Sequence, residues 1–407
     1  MTFSKIVSAG ICLALGVLFC LKQAYSYPTA ARHGYTSCVT CHHNPSGGGV
    51  LTSYGKFIAG ELFGAFNDSS DALPWLLTPE EEDLFVGMVM ARMVQAYRDT
   101  TTSRKAHHRF MQLDFEAGLT KEGWQAIVAF GPKLDSAIEG REEGADIQVR
   151  RWWVGKVVLE YAIRAGKFFP EYGIYHYNHN IPSRKGLYFN HDEEPLIFQA
   201  TWFTQTFDFT GAYMQGSDNT ELADHTGYSI NIAYKFGPQR IGVSHLSMKV
   251  PEKELETSTT TANLSESVPQ KGSVTTMLQT ATEPEVDKRK TDSTGFFVQA
   301  GYLKYGYTLL QVDQKNTINS RGNEVQKNLV YLETAWEFYK GVNPYFAYEY
   351  NNTKTGIETT INQPALGIQL HLITHTELVL QAGQGTIDTA GEKSPYQFAF
   401  AMLNIFF

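Results

Sequence analysis

The chain has 407 residues, of which 43% are apolar, 13% aromatic and only 19% charged, with 35 Gly and a formal net charge of −8. So many apolar and aromatic residues exclude a disordered chain, and a negative mean hydropathy excludes a bundle of transmembrane helices. No basic excess speaks for nucleic acid as a partner. All four Cys lie near the start, at Cys12, Cys20, Cys38 and Cys41.

Residues 1–26 read as a secretory signal: Lys5 supplies the positive start, Ile6 to Leu21 are mostly apolar, and Ala24-Tyr25-Ser26 precede the expected cut. A membrane-anchoring helix is the competing reading; a lipoprotein signal through Cys20 fits poorly because bulky Phe19 precedes it. Cleavage removes two Lys and no acid, and leaves Cys38 and Cys41 in an oxidising compartment.

Residues 27–83 form a distinct segment with the remaining Cys pair, a Gly47-Gly48-Gly49 run and an acidic Glu80-Glu81-Glu82-Asp83. Thr78-Pro79-Glu80-Glu81 fits a helix start with a capping box, which explains the acids better than a metal site does. Cys38-Val39-Thr40-Cys41-His42 is C-x-x-C-H, the attachment motif of c-type haem. Two thiols three apart add across the two vinyl groups of one porphyrin, and the adjacent His is held under the iron as axial ligand. A disulfide of this span is often strained. A redox pair needs a βαβ surround, and zinc needs further ligands. One motif means one covalent haem c. The sixth ligand is unassigned: His33, His43, Met88, Met90, Met93, Met111, His107 and His108 are candidates, and an open or water-bound site is another.

From Leu84 to Phe407 the pattern is period-two, as in Phe110 to Ala117 and Leu329 to Trp336. Apolar and polar faces alternate, as a wall between lipid and a wet lumen requires. The fold expected is all-β, a transmembrane outer-membrane barrel of about sixteen strands. Those strands run 85–98, 108–120, 123–131, 146–155, 157–169, 196–206, 208–216, 227–236, 239–248, 295–303, 305–313, 328–338, 342–351, 363–372, 375–384 and 396–407. Short connections (Lys121-Glu122, Gly155-Lys156, Gly237-Pro238, Lys304, Tyr339-Lys340-Gly341, Thr374) alternate with long ones. The long ones are 99–107, 132–145, 170–195, 217–226, 249–294, 314–327, 352–362 and 385–395. Segment 249–294 has no aromatic residue and fifteen Ser or Thr, and is expected to be a flexible extracellular loop. Segment 170–195 carries Tyr172, Tyr175, His176, Tyr177, His179, His191, Asp192, Glu193 and Glu194. His176 and His179 there make a candidate outer metal site, against the plainer reading of a polar loop folded into the barrel mouth. The chain ends on an alternating strand with a terminal Phe407.

Tyr27-Pro28-Thr29-Ala30-Ala31-Arg32, then the C-x-x-C-H, then Tyr54-Gly55-Lys56 resemble the start of fused monohaem cytochrome–porins. The best-known members are outer-membrane iron oxidases. The resemblance implies a haem held by Cys38, Cys41 and His42, a lipid bilayer in the outer membrane of a Gram-negative bacterium, and electron transfer across it. The partners implied are an extracellular donor or acceptor, with Fe(II) as the donor in the iron oxidases, and a periplasmic c-type cytochrome. The activity implied is Fe(II):cytochrome c oxidoreductase or plain electron transfer, in either direction. A passive porin whose haem is structural or sensory is the alternative. Pro45-Ser46-Gly47-Gly48-Gly49 departs from the iron-oxidase pattern.

Overall fold

The computed structural model describes residues 40–44, 47, 49–52, 54–55, 84–132, 147–174, 194–216, 225–250, 289–302, 306–318, 323–372 and 376–406. It contains sixteen antiparallel strands: β1 (Phe85–Thr100), β2 (Arg104–Lys121), β3 (Trp124–Pro132), β4 (Ile147–Val158), β5 (Tyr161–Lys167), β6 (Leu196–Phe203), β7 (Phe207–Gln215) and β8 (Thr226–Phe236) make the first half. The second half is β9 (Gln239–Lys249), β10 (Lys290–Tyr302), β11 (Gly306–Ile318), β12 (Glu324–Trp336), β13 (Val342–Thr355), β14 (Ile357–Leu370), β15 (Thr376–Thr389) and β16 (Glu392–Phe406). Each strand pairs with the next, and β1 pairs with β16 over Met90–Thr100, so the sheet closes and leaves no edge.

The period-two pattern becomes two faces. In β7, Phe207, Phe209 and Tyr213 point outward and are exposed, while Asp208, Thr210, Ala212 and Met214 point inward and are buried. Aromatic side chains ring the outside of the short-turn rim: Phe85, Trp124, Tyr161, Trp202, Phe207, Tyr234 and Trp336 are all exposed there. Several meet across strands, as Tyr161 with Trp202 at 6.2 Å and Phe207 with Tyr234 at 5.0 Å between ring centroids. Each such pair contributes about 1 kcal/mol beyond its burial. An apolar wall with an aromatic rim is the exterior that a bilayer demands of a strand-built span.

Two tight hairpins show why particular residues end the strands. Glu122–Gly123 and Ala390–Gly391 both have positive φ at two successive residues, the backbone that matches strand twist in a two-residue turn. Other ends differ from the sequence expectation. The β4–β5 connection is Leu159–Glu160, not Gly155-Lys156, both of which pair with β5. Four outer connections are much shorter than expected, because β1, β2 and β11–β16 continue into them as long hairpins. Gly356 alone joins β13 to β14, and Thr101–Ser103 join β1 to β2. Asn351–Thr355 is polar on both faces, and Ile357–Gln363 carries only Ile357 and Ile361 as apolar residues. A strand that rises clear of the apolar band no longer alternates, so periodicity cannot see it. Lys249 and Lys290–Thr294 likewise belong to β9 and β10, Val250 N–H donates to the Arg289 carbonyl just beyond them, and 251–288 of the expected 249–294 loop lies outside the described residues.

The wall is uneven. β10–β16 run 13 to 15 residues each, whereas β5 and β6 have 7 and 8. The third outer connection leaves β5 at this low stretch and turns inward.

Candidate functional site

The described residues 40–44 and 49–52 bring the C-x-x-C-H end into the barrel as the two arms of a short hairpin. His42 and Leu51 form an antiparallel bridge, His43 N–H donates to the Val50 carbonyl at 3.1 Å, and Thr52 N–H donates to the Cys41 carbonyl at 2.9 Å. Asn44 closes the turn: Gly47 N–H donates to its carbonyl, and its side-chain amide donates to the Gly47 carbonyl at 2.7 Å. The Gly run that departs from the iron-oxidase pattern has its reason here. Gly47 and Gly49 sit at φ +88° and +71°, and a Cβ on Gly49 would lie 2.6 Å from a Glu116 carboxylate oxygen. Gly55 is equally constrained, since its Cβ would come within 2.1 Å of the Cys41 carbonyl oxygen.

Three strands hold this hairpin. From β2, Glu116 Oε1 accepts from Val50 N–H at 3.5 Å. From β3, the Gln125 side-chain amide hydrogen-bonds His43 Nδ1 at 3.1 Å. From β5, Arg164 donates to the Asn44 side-chain oxygen. A small cavity beside Asn44 is lined by Glu116, Ile127, Arg151, Trp153, Phe168 and Phe169. Behind it lies a buried ion network in which Arg150 pairs with Asp114 at 2.5 Å, and Arg151 reaches Asp114 at 3.4 Å and Glu116 at 3.8 Å.

His42 is buried and Cys41 is half-buried. Burial pushes the Cys41 thiol up to about 11, the opposite of the lowered value that a reactive redox pair needs. Cys41 and His42 are neighbours on one hairpin and offer one thiol and one imidazole, two of the three side chains that the C-x-x-C-H motif would bring to a covalent haem. Cys38 lies outside the described residues. So do His33, His176 and His179, so the candidate outer metal site is not placed. Among the described residues no group of three or more His, Cys, Asp or Glu is arranged to hold a metal ion.

The structure separates two sixth-ligand candidates, His107 and His108, from the hairpin and leaves Met88 paired across from Glu116. His107 and His108, expected in an outer loop, are exposed residues of β2 paired with Ala96 and Gln95. They stand about 25–30 Å along the strand from Glu116 at 3.3 Å per residue. Met88 is buried on the inner face of β1, the face that also carries Arg92. His43 is engaged with Gln125.

The third outer connection forms a strap across the lumen, Phe168–Ile174. Glu171 accepts from Thr210 at 2.8 Å, Asn231 at 3.0 Å and Arg240 at 3.2 Å, on β7, β8 and β9. Tyr172 OH bonds Ser293 at 2.8 Å and donates to Asp313 at 3.1 Å, on β10 and β11. Gly173 N–H donates to Ser244, and Ile174 N–H to Gln311. Of the two readings of segment 170–195, the described part follows the polar loop folded into the mouth. The strap spans from the low wall to the opposite one, so it narrows the lumen. Replacing Glu171 with Gln and Tyr172 with Phe together removes a charge and both Tyr172 bonds. The variant is expected to conduct ions several-fold more than the parent in planar bilayers; equal conductance would mean that the strap is not the barrier.

Sequence reasoning did not single out Asp114, Glu116, Gln125, Arg150, Arg164 or Glu171. A signal existed on the strands, since the first five sit on polar, inward positions of an alternating pattern. Which of many such positions would face the hairpin depends on how the sheet closes.

No protein-family model matches the chain, and no curated protein does. Solved structures share the fold. OmpT of Vibrio cholerae, in a loop L8 deletion form, superposes with a TM-score of 0.55 at 11% identity, covering 80% of this chain and all of that one. The outer membrane channel DcaP of Acinetobacter baumannii gives 0.54 at 8% identity over 79% and 97%. An anion-selective porin from Comamonas acidovorans gives 0.53 at 11% identity over 79% and 99%. The chain therefore has the closed, porin-like barrel architecture of outer-membrane proteins.

Proposed function

We propose that the protein is an outer-membrane barrel that carries one covalent haem c inside its wall and passes electrons across the membrane, between an extracellular donor such as Fe(II) and a periplasmic c-type cytochrome. The carrying observation is the position of Cys41 and His42, within the barrel and close to its short-turn end. Haem bound there supplies a one-electron couple at its iron. Cys38 and Cys41 would hold it covalently, and His42 would ligate the iron. A bilayer core is about 30 Å thick, so a carrier within the wall shortens the distance an electron has to cover. The apolar exterior keeps the barrel in lipid, and the strap Phe168–Ile174 stands between the hairpin and the outer mouth.

The second reading, a pore for small solutes, is favoured by one observation: the overall likeness to porins and channels, one of them anion-selective. Proteoliposomes separate the two. With Fe(II) outside and a c-type cytochrome sealed inside, the parent protein is expected to reduce the inner cytochrome, and a Cys38→Ser/Cys41→Ser variant is not. Ion flux without electron transfer would overturn the conduit reading in favour of the pore.

A further inference from the structure

We propose that Gln125 and Arg164 are positioning residues that clamp the haem-attachment hairpin to the barrel wall and so hold the haem at the short-turn, periplasmic mouth; this rests on the haem reading above. Both contacts fall immediately after the motif's last residue, His42. Gln125 holds the ring of His43, the residue that follows the axial His42, at 3.1 Å. Arg164 holds Asn44, one residue further on. Both wall residues lie a few positions from short turns, Gln125 after Glu122–Gly123 and Arg164 after Leu159–Glu160. At 3.3 Å per residue that is roughly 7 and 13 Å inside the rim, respectively.

Arg164 does more than bond Asn44. Its guanidinium stacks over the Phe168 ring at 4.0 Å and lies 5.9 Å from the Trp153 ring centroid. Phe168 begins the strap. One buried cation therefore touches both inserted pieces of the lumen, the hairpin from the chain start and the strap from the third outer connection. A planar guanidinium can stack and hydrogen-bond at once, which a lysine cannot. The small residues of the hairpin turn are matched to this docking, because Gly49 lies flush against Glu116. A hairpin fixed at three strands cannot slide along the lumen, and the depth of the ring it carries is set by the wall.

The test uses the full haem-loaded protein in detergent and compares it with an Arg164→Gln/Gln125→Ala variant. Haem content by pyridine haemochrome is expected to stay at the parent level. The midpoint potential is expected to shift, and trypsin is expected to release the N-terminal segment about tenfold faster. Arg164→Lys is expected to restore the slow cleavage only in part. Parent-like potential and parent-like cleavage together overturn the clamp. Absence of haem in the parent overturns the haem reading instead, and trypsin then still reports whether the hairpin is held. If the double variant loses the heat-modified gel band of a folded barrel, Gln125→Ala alone carries the same readouts, since it removes one hydrogen bond and leaves every ion pair in place.

Discussion

Replacing Cys38 and Cys41 together with Ser is expected to abolish covalent haem while leaving a folded barrel. The haem half of this result follows from chemistry: a hydroxyl does not add to a vinyl group as a thiol does, and no described residue offers a second thiol. The barrel half follows from topology. The sixteen-strand ladder closes through β1 and β16 without any residue of 40–55. The hairpin meets the wall through Glu116, Gln125 and Arg164, and none of those bonds uses a Cys side chain. In-gel haem stain and the pyridine haemochrome spectrum read the first half; heat-modifiable gel mobility reads the second. Stain that persists in the double variant would falsify the haem assignment. Loss of the heat-modified band would show that the haem is needed for assembly, a structural role that the alternative reading gives it.

The barrel was legible because lipid on one side and a polar lumen on the other impose a strict two-residue period, and β7 and β8 display it without interruption. Strand number followed from that period and from short turns. Strand length did not. Above the membrane both faces of a strand meet water, so β13 runs through Asn351–Thr355 with no alternation and β14 through Ile357–Gln363 with only two apolar residues to betray it. The site was half legible. The motif on which the proposed chemistry rests stands in five consecutive residues, but the seat of its hairpin does not, since Gln125 and Arg164 are separated by 39 positions and come together only when β3, β4 and β5 pair. The Gly47-Gly48-Gly49 run illustrates the same limit. In sequence it is a departure from the iron-oxidase pattern; in space Gly47 and Gly49 need φ above zero, and Gly49 lies against Glu116 with no room for a side chain.

The lumen ion network predicts the largest change in stability. Arg150 and Asp114 are both almost fully buried and 2.5 Å apart. Arg150 also donates to the Pro132 carbonyl at the end of β3, and Asp114 accepts from Gln112. Removing one member of a buried pair leaves the other charge without its main partner, which costs about 3–5 kcal/mol. Arg151, 3.4 Å from Asp114, offsets part of this. Arg150→Ala is therefore expected to lower barrel stability by roughly 3 kcal/mol, measured as the urea midpoint of the heat-modified band in lipid vesicles. Arg150→Met with Asp114→Leu removes both charges and is expected to recover most of the loss, because two apolar side chains of similar volume need no partner. Arg104 is the control. It pairs with Asp99 at 2.9 Å but is largely exposed at the outer end of β2, and Arg104→Ala is expected to leave the midpoint unchanged. The ordering of these three variants carries the argument, since a pair that matters through burial should be rescued by removing both charges. A double variant no better than Arg150→Ala would instead assign the loss to the Pro132 bond, where Arg150 ties β4 to the end of β3.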